Sequence, residues 1–91
     1  MAHMPSLSAA QFAKKFAPSE YGESWDEVGQ HEEFHRPVEG ALSHEEMVKS
    51  VKARGIDVPV IVQGKHVIDG HHRALAAMEA NVRIPYDRAP E

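Results

Sequence analysis

The sequence predicts a small α/β (α+β) domain, a short mixed sheet with helices packed on it. Three observations carry that prediction. Val58-Pro59-Val60-Ile61-Val62 is an apolar, β-branched run, and a second one, His66-Val67-Ile68, follows across Gly64-Lys65. Ser43-His44-Glu45-Glu46 is a capping box that opens a helix before them. An alanine-rich stretch over residues 73–80 has helical spacing after them. Helices and strands alternating in this way bury their apolar faces as layers around one core.

Taken in order, Met1-Ala2-His3-Met4 reads as a cloning remnant before a native start at Met4. Ser8-Ala9-Ala10-Gln11 is a capping box for a first helix, with Phe12 and Phe16 one turn apart on one face and Pro18 closing it. Residues 19–40 are acidic and punctuated by Gly22, Gly29, Pro37 and Gly40; within them, residues 25–28 suit a short helix or an edge strand equally. After the Ser43 box, Met47, Val48 and Val51 share a face, Lys49, Lys52 and Arg54 gather toward the C-terminal end, and Gly55 ends the helix. The strand over residues 58–62 is apolar on both faces and so belongs at the centre of the sheet, with Pro59 tolerated near its start. Gly64-Lys65 turns the chain into a hairpin. The last helix carries Leu75, Ala76 and Met78 inward and ends at Asn81 in the left-handed conformation, before a short strand at Ile84-Pro85-Tyr86. The organisation expected is therefore an N-terminal helix and acidic segment (residues 5–42) packing on a core (residues 43–91).

At 91 residues the chain is one domain with a modest core, which leaves room for a homodimer. It has no cysteine, hence no disulfide, thiolate metal site or thiol nucleophile. No apolar run approaches the roughly 20 residues that span a bilayer, and no signal peptide is evident, so a cytoplasmic protein with no membrane role is expected. The net charge of −4 is unevenly spread: residues 1–46 carry three Lys/Arg against nine Asp/Glu, and residues 47–91 carry seven against five. The second half can face an anion, but the surplus is far below that of a dedicated duplex-DNA binder. The acidic half is a solvated face or a surface for a protein partner.

The most informative stretch is Asp69-Gly70-His71-His72-Arg73, where the second strand turns into the last helix. Helix N-termini are electropositive and normally attract carboxylates. Here two imidazoles and a guanidinium crowd that end, with Asp69 as the expected cap. A phosphate from outside completes such a site, Gly70 letting backbone approach it and Arg73 offering a planar fork of donors. His71 and His72, being adjacent on a helix, point about 100° apart and so rarely hold one metal ion together; phosphate contact is the leading reading, with a structural or solvent-facing role as the alternative. Asp69 has a second candidate role, as an oxygen ligand for Mg²⁺ bridging nucleotide phosphates. His66 is read as structural. Glu32 and Glu33, beside His31 and His35, are candidates for a general base, or belong to a solvated loop.

From Ser43 to Tyr86 the pattern resembles the N-terminal domain of the ParB/sulfiredoxin superfamily, and Ile68-Asp69-Gly70-His71-His72-Arg73 looks most like its ParB-like nuclease branch. The resemblance implies a ParB/sulfiredoxin-like fold with Gly70, His71, His72 and Arg73 as the phosphate loop. It also implies a nucleotide ligand with Mg²⁺: CTP as in partition proteins, or ATP or ADP as in sulfiredoxin-like and kinase-like members. Histidine at position 71 excludes the sulfiredoxin cysteine chemistry. Partition proteins continue into a helix-turn-helix and a dimerisation domain, so sequence-specific DNA reading is not expected here. Their upstream arginine-bearing strand is matched loosely by Phe34-His35-Arg36-Pro37, and Asn81 stands where glycine is common.

Three functions remain open at this point. One is a stand-alone ParB-like domain in DNA metabolism or segregation, binding nucleotide and, weakly, DNA, or acting as a nuclease. The second is a small ATP- or ADP-dependent phosphotransferase with Asp69 and Glu32 or Glu33 as its chemical groups. The third is a non-catalytic module that meets a protein partner through its acidic half.

Overall fold

The strand over residues 60–63 organises everything else. The computed structural model of the protein describes residues 5–90, so the expected remnant at residues 1–4 lies outside the described residues. The elements are β1 (Ser6–Leu7), α1 (Ala9–Lys15), β2 (Ala17–Pro18), α2 (Trp25–Gln30), α3 (Glu32–His35), α4 (His44–Arg54), β3 (Val60–Gln63), β4 (His66–Asp69), α5 (His71–Ala80) and β5 (Ile84–Arg88). They form a mixed five-stranded sheet in the order β1-β5-β3-β4-β2. Strand β3 is central, antiparallel to β4 through the tight turn at Gly64 and parallel to β5. Helix α5 is the crossover that delivers the chain from the β3–β4 hairpin to β5.

Val60 and Val62 are fully buried, as a central strand requires. The strand starts at Val60 rather than Val58. Proline 59 has no N–H to give a ladder, pairing with β5 begins at Val60↔Tyr86, and Val58 is exposed. Residues 5–42 supply both sheet edges: β1 pairs antiparallel with β5, and β2 pairs parallel with β4. Phe12 of α1 and Phe16, the C-cap of that helix, pack with Tyr86 of β5 as an aromatic trio in the main core.

Both expected capping boxes are present, Ser8 with Gln11 and Ser43 with Glu46. Residues 25–28 are helical. Ser24 caps α2, and Trp25 donates its indole N–H to the Phe16 carbonyl at 2.9 Å. The segment likened to an arginine-bearing strand is not one: Phe34 and His35 end the short helix α3. Val28, Phe34 and Leu75 make a second, smaller core between α2, α3 and α5. Asn81 ends α5 in the left-handed conformation, φ 56° and ψ 48°, as expected. Among the described residues, no helix is long and apolar enough to cross a membrane.

Candidate functional site

The α5 N-terminus differs from those of the other helices among the described residues. Helices α1, α2 and α4 are capped by serine side chains and α3 by His31, whereas α5 has no side-chain cap. Asp69 was the expected cap, and the structure corrects this. The N-cap is Gly70 in the left-handed conformation, φ 91° and ψ 27°, while Asp69 remains the last residue of β4, its side chain exposed. A left-handed turn at residue 70 aims the preceding carboxylate away from the first-turn N–H groups, which a β-region cap would have presented to it.

This helix end opens onto a cleft of about 660 Å³. Asp69, Gly70, His71, His72 and Arg73 all line it, so the fold brings the expected loop together around one cavity. Part of its lining is apolar: Val38, Leu42 and Ile68 line it and are three of the four exposed large hydrophobic side chains among the described residues. A cleft with a donor-rich end and a greasy side suits a ligand with an anionic head and a less polar body.

Arg73 lies across Gly70. A Cβ at residue 70 would stand 2.9 Å from Arg73 Nη2 and 3.4 Å from Val60 Cα, so any residue but glycine would displace the guanidinium, besides straining the left-handed backbone. The guanidinium is loosely held: Nη2 is 3.4 Å from the Pro59 carbonyl oxygen and 3.9 Å from Asp69 Oδ2, and Nε is buried with no partner. Most of its donor capacity is therefore uncommitted.

The two histidines are committed. His71 is 4% exposed, and its Nε2 accepts the Ser19 backbone N–H at 3.1 Å, which places the ring proton on Nδ1. Burial holds this imidazole below its ordinary pKa, against the smaller opposing pull of Glu20. His72 has the other tautomer: its Nε2–H donates to the Phe34 carbonyl at 3.0 Å, and its ring stacks on Phe34 with centroids 4.2 Å apart. Of the groups expected to meet a phosphate, the backbone at residues 70–73 and Arg73 are free to do so directly. The imidazoles at 71 and 72 use Nε2 to fix the surrounding chain.

Glu32 and Glu33 do not line this cleft. Both are exposed on α3, where Glu33 pairs with Arg36 and its N–H is received by His31 Nδ1. His35 is likewise turned to structure, donating from Nε2 to the Gly29 carbonyl at 2.6 Å. The carboxylates that do share the cleft with Asp69 are Glu20 and Glu46. Glu46 belongs to the capping box, and hydrogen bonds from the Ser43 backbone N–H and hydroxyl hold its carboxyl below the usual carboxylate range. His66 is exposed at the start of β4. No group of three or more His, Asp or Glu arranged to hold a metal ion occurs among the described residues.

Sequence reasoning missed Tyr21 and His44. Tyr21, left-handed at φ 70°, sets its ring edge-on to His31, Phe34, His71 and His72. His44 donates from Nε2 to Glu79 at 2.8 Å, with Nδ1 buried and unpartnered. Comparisons with protein-family models, with curated proteins and with solved structures find no match for this chain.

Proposed function

We propose that the protein is a phosphate-binding domain whose ligand is a nucleotide, its phosphate seated on the uncapped N-terminus of α5 and on Arg73. The body of the ligand lies against Val38, Leu42 and Ile68. The observation that carries this reading is that α5, alone among the described helices, lacks a side-chain N-cap and opens onto a cleft beside a loosely held guanidinium. Unsatisfied first-turn N–H groups, a helix dipole and a planar cation together make an anion site. Asp69, one exposed carboxylate at the rim, suits a Mg²⁺ ion that arrives with a polyphosphate, since Mg²⁺ takes one or two protein carboxylates and completes its shell with phosphate oxygens and water.

Binding, rather than phosphoryl transfer or DNA cleavage, is the activity this geometry supports best, because Glu32 and Glu33 stand off the cleft. The ParB-like resemblance supports CTP, ATP or ADP as the nucleotide and a role in DNA metabolism or segregation in the cytoplasm. The test is a thermal-shift screen of CTP, ATP, ADP and GTP, with and without Mg²⁺, on the wild type and Arg73→Ala. A ligand at about 100 times its Kd adds about 2.7 kcal/mol, on the order of 10 °C for a domain of this size. The shift is expected in the wild type and strongly reduced in Arg73→Ala. No shift with any nucleotide, or an equal one in both proteins, removes the site from this loop.

A further inference from the structure

Residues 19–22 follow β2 on the way to α2, with Glu20 and Tyr21 lining the cleft, and three features set them apart. They are tied to α5 by one long-range hydrogen bond, Ser19 N–H to His71 Nε2 at 3.1 Å, with the Ser19 hydroxyl 3.5 Å from the same nitrogen. Tyr21 sits at φ 70°, a conformation that costs a bulky side chain free energy and persists only where the surroundings hold it. Glu20, whose side chain pairs with no cation among the described residues, lines the cleft and is near enough to His71 to favour its charged form. The segment thus brings a carboxylate without a cation partner among the described residues into the same cleft as the uncapped start of α5.

We propose that residues 19–22 are an autoinhibitory strap: Glu20 occupies the electrostatic place of the ligand's phosphate, and the strap must yield when a phosphate binds. The inference rests on the anion site proposed above and adds its regulation. The differential interaction that any ligand-driven change requires is present. With the strap seated, the phosphate and the Glu20 carboxylate share one cleft and repel. With the strap displaced, that repulsion is relieved, as is the left-handed strain at Tyr21. The cost is the Ser19–His71 bond and the edge-on contacts of the Tyr21 ring. His71 is the joint, because its backbone begins the helix that receives the phosphate and its ring holds the strap.

The experiment titrates inorganic pyrophosphate into the wild type, Glu20→Gln, Glu32→Gln and Arg73→Ala by calorimetry, and follows the Ser19 amide by NMR. Glu20 is exposed, so its amide variant folds. Glu32→Gln, the same charge change on an exposed side chain off the cleft, is the control for net charge and is expected to bind as the wild type does. Pyrophosphate is expected to bind Glu20→Gln on the order of five-fold tighter than the wild type at low salt. That advantage should shrink as ionic strength rises. In the wild type, saturation is expected to move the Ser19 amide toward the shift of an unbonded N–H. Measurable binding with equal or weaker affinity in Glu20→Gln overturns the strap and leaves the anion site standing, and so does a Ser19 amide that stays put at saturation. Absence of binding in both the wild type and Glu20→Gln overturns the anion site, and the strap with it.

Discussion

His71 and His72 are neighbours in sequence and opposite in hydrogen-bonding sense. Nε2 of His71 accepts a backbone N–H from Ser19, and Nε2 of His72 donates to the backbone carbonyl of Phe34. One short stretch of α5 thereby pins two separate pieces of the acidic N-terminal half, the strap and α3, against the helix end. The pair earns its place at the cleft through the chain it holds in position, and the direct donors for an anion are the backbone beyond Gly70 and the guanidinium of Arg73.

Phe34 is the most consequential of those anchors. It is 2% exposed, stacks on His72 and joins Val28 and Leu75 in the second core. Truncation of a buried phenylalanine costs about 3–5 kcal/mol. Phe34→Ala is therefore expected to lose a large share of the stability of a chain this small, read as a fall in the urea midpoint. A loss under about 1 kcal/mol would mean that α3 is not packed as described.

Gly70→Ala tests the close approach of Arg73. The position has φ 91°, and an added Cβ would meet Arg73 Nη2 at 2.9 Å. Left-handed backbone costs a non-glycine residue about 1–2 kcal/mol, and the guanidinium must also shift. Destabilisation of that order and weakened anion binding are expected together. Wild-type stability in this variant would show that residue 70 leaves its left-handed turn without loss.

Ser43→Ala removes the side-chain cap of α4 and the hydroxyl, the smaller of the two Ser43 groups that hold the Glu46 carboxyl, and leaves the backbone N–H. About 1 kcal/mol of stability should go with it. Glu46 has a depressed pKa in the folded chain, so its contribution is present above the unfolded carboxylate value and lost as pH falls through the folded one. The stability of Ser43→Ala should accordingly fall less between pH 6 and pH 3 than that of the wild type.

His71 gives a second pH signature. Its folded pKa lies below the ordinary imidazole value of about 6.5, so between the two values the unfolded chain binds more protons. Stability is then full above about pH 6.5 and declines as pH falls from there through the folded pKa. His71→Gln keeps an acceptor for the Ser19 N–H without a titrating group. Its urea midpoint should change less than that of the wild type between pH 7.5 and pH 5, and an identical slope would contradict the assignment.

Much of this fold is written in short-range signals. The Ser8 and Ser43 boxes, the turn at Gly64, the glycine stop at Gly55 and the left-handed Asn81 each follow from one residue's local chemistry. Residues 25–28 stay undecided between helix and edge strand in the sequence, although Ser24-Trp25-Asp26-Glu27 carries the Ser-x-x-Glu pattern that also opens the helix at Ser43. Strands β1 and β2 carry no local signal. Two residues show no alternation, one of those in β2 is a proline, and both strands exist only because β5 and β4 offer them an edge.

The site divides in the same way. The crowding of two imidazoles and a guanidinium at Gly70-His71-His72-Arg73 is visible in the sequence, and all of those residues line one cleft. Which histidine nitrogen is engaged, and by which distant backbone group, is set by residues 52 and 38 positions away and has no local signature. Asp69 was read as a cap because carboxylates before helices usually are. The left-handed Gly70 between it and the helix is what defeats that rule.

The central claim is that an anion sits on the uncapped start of α5. Its most direct test is a ¹⁵N chemical-shift titration of the protein with CTP and with ATP, each with Mg²⁺, watching the backbone amides of His71, His72 and Arg73. A new hydrogen bond to phosphate should move these three amides downfield together, and Arg73→Ala should shift the curve to much higher ligand concentration. If they stay still while other amides respond, or if no amide responds to either nucleotide, the claim is contradicted.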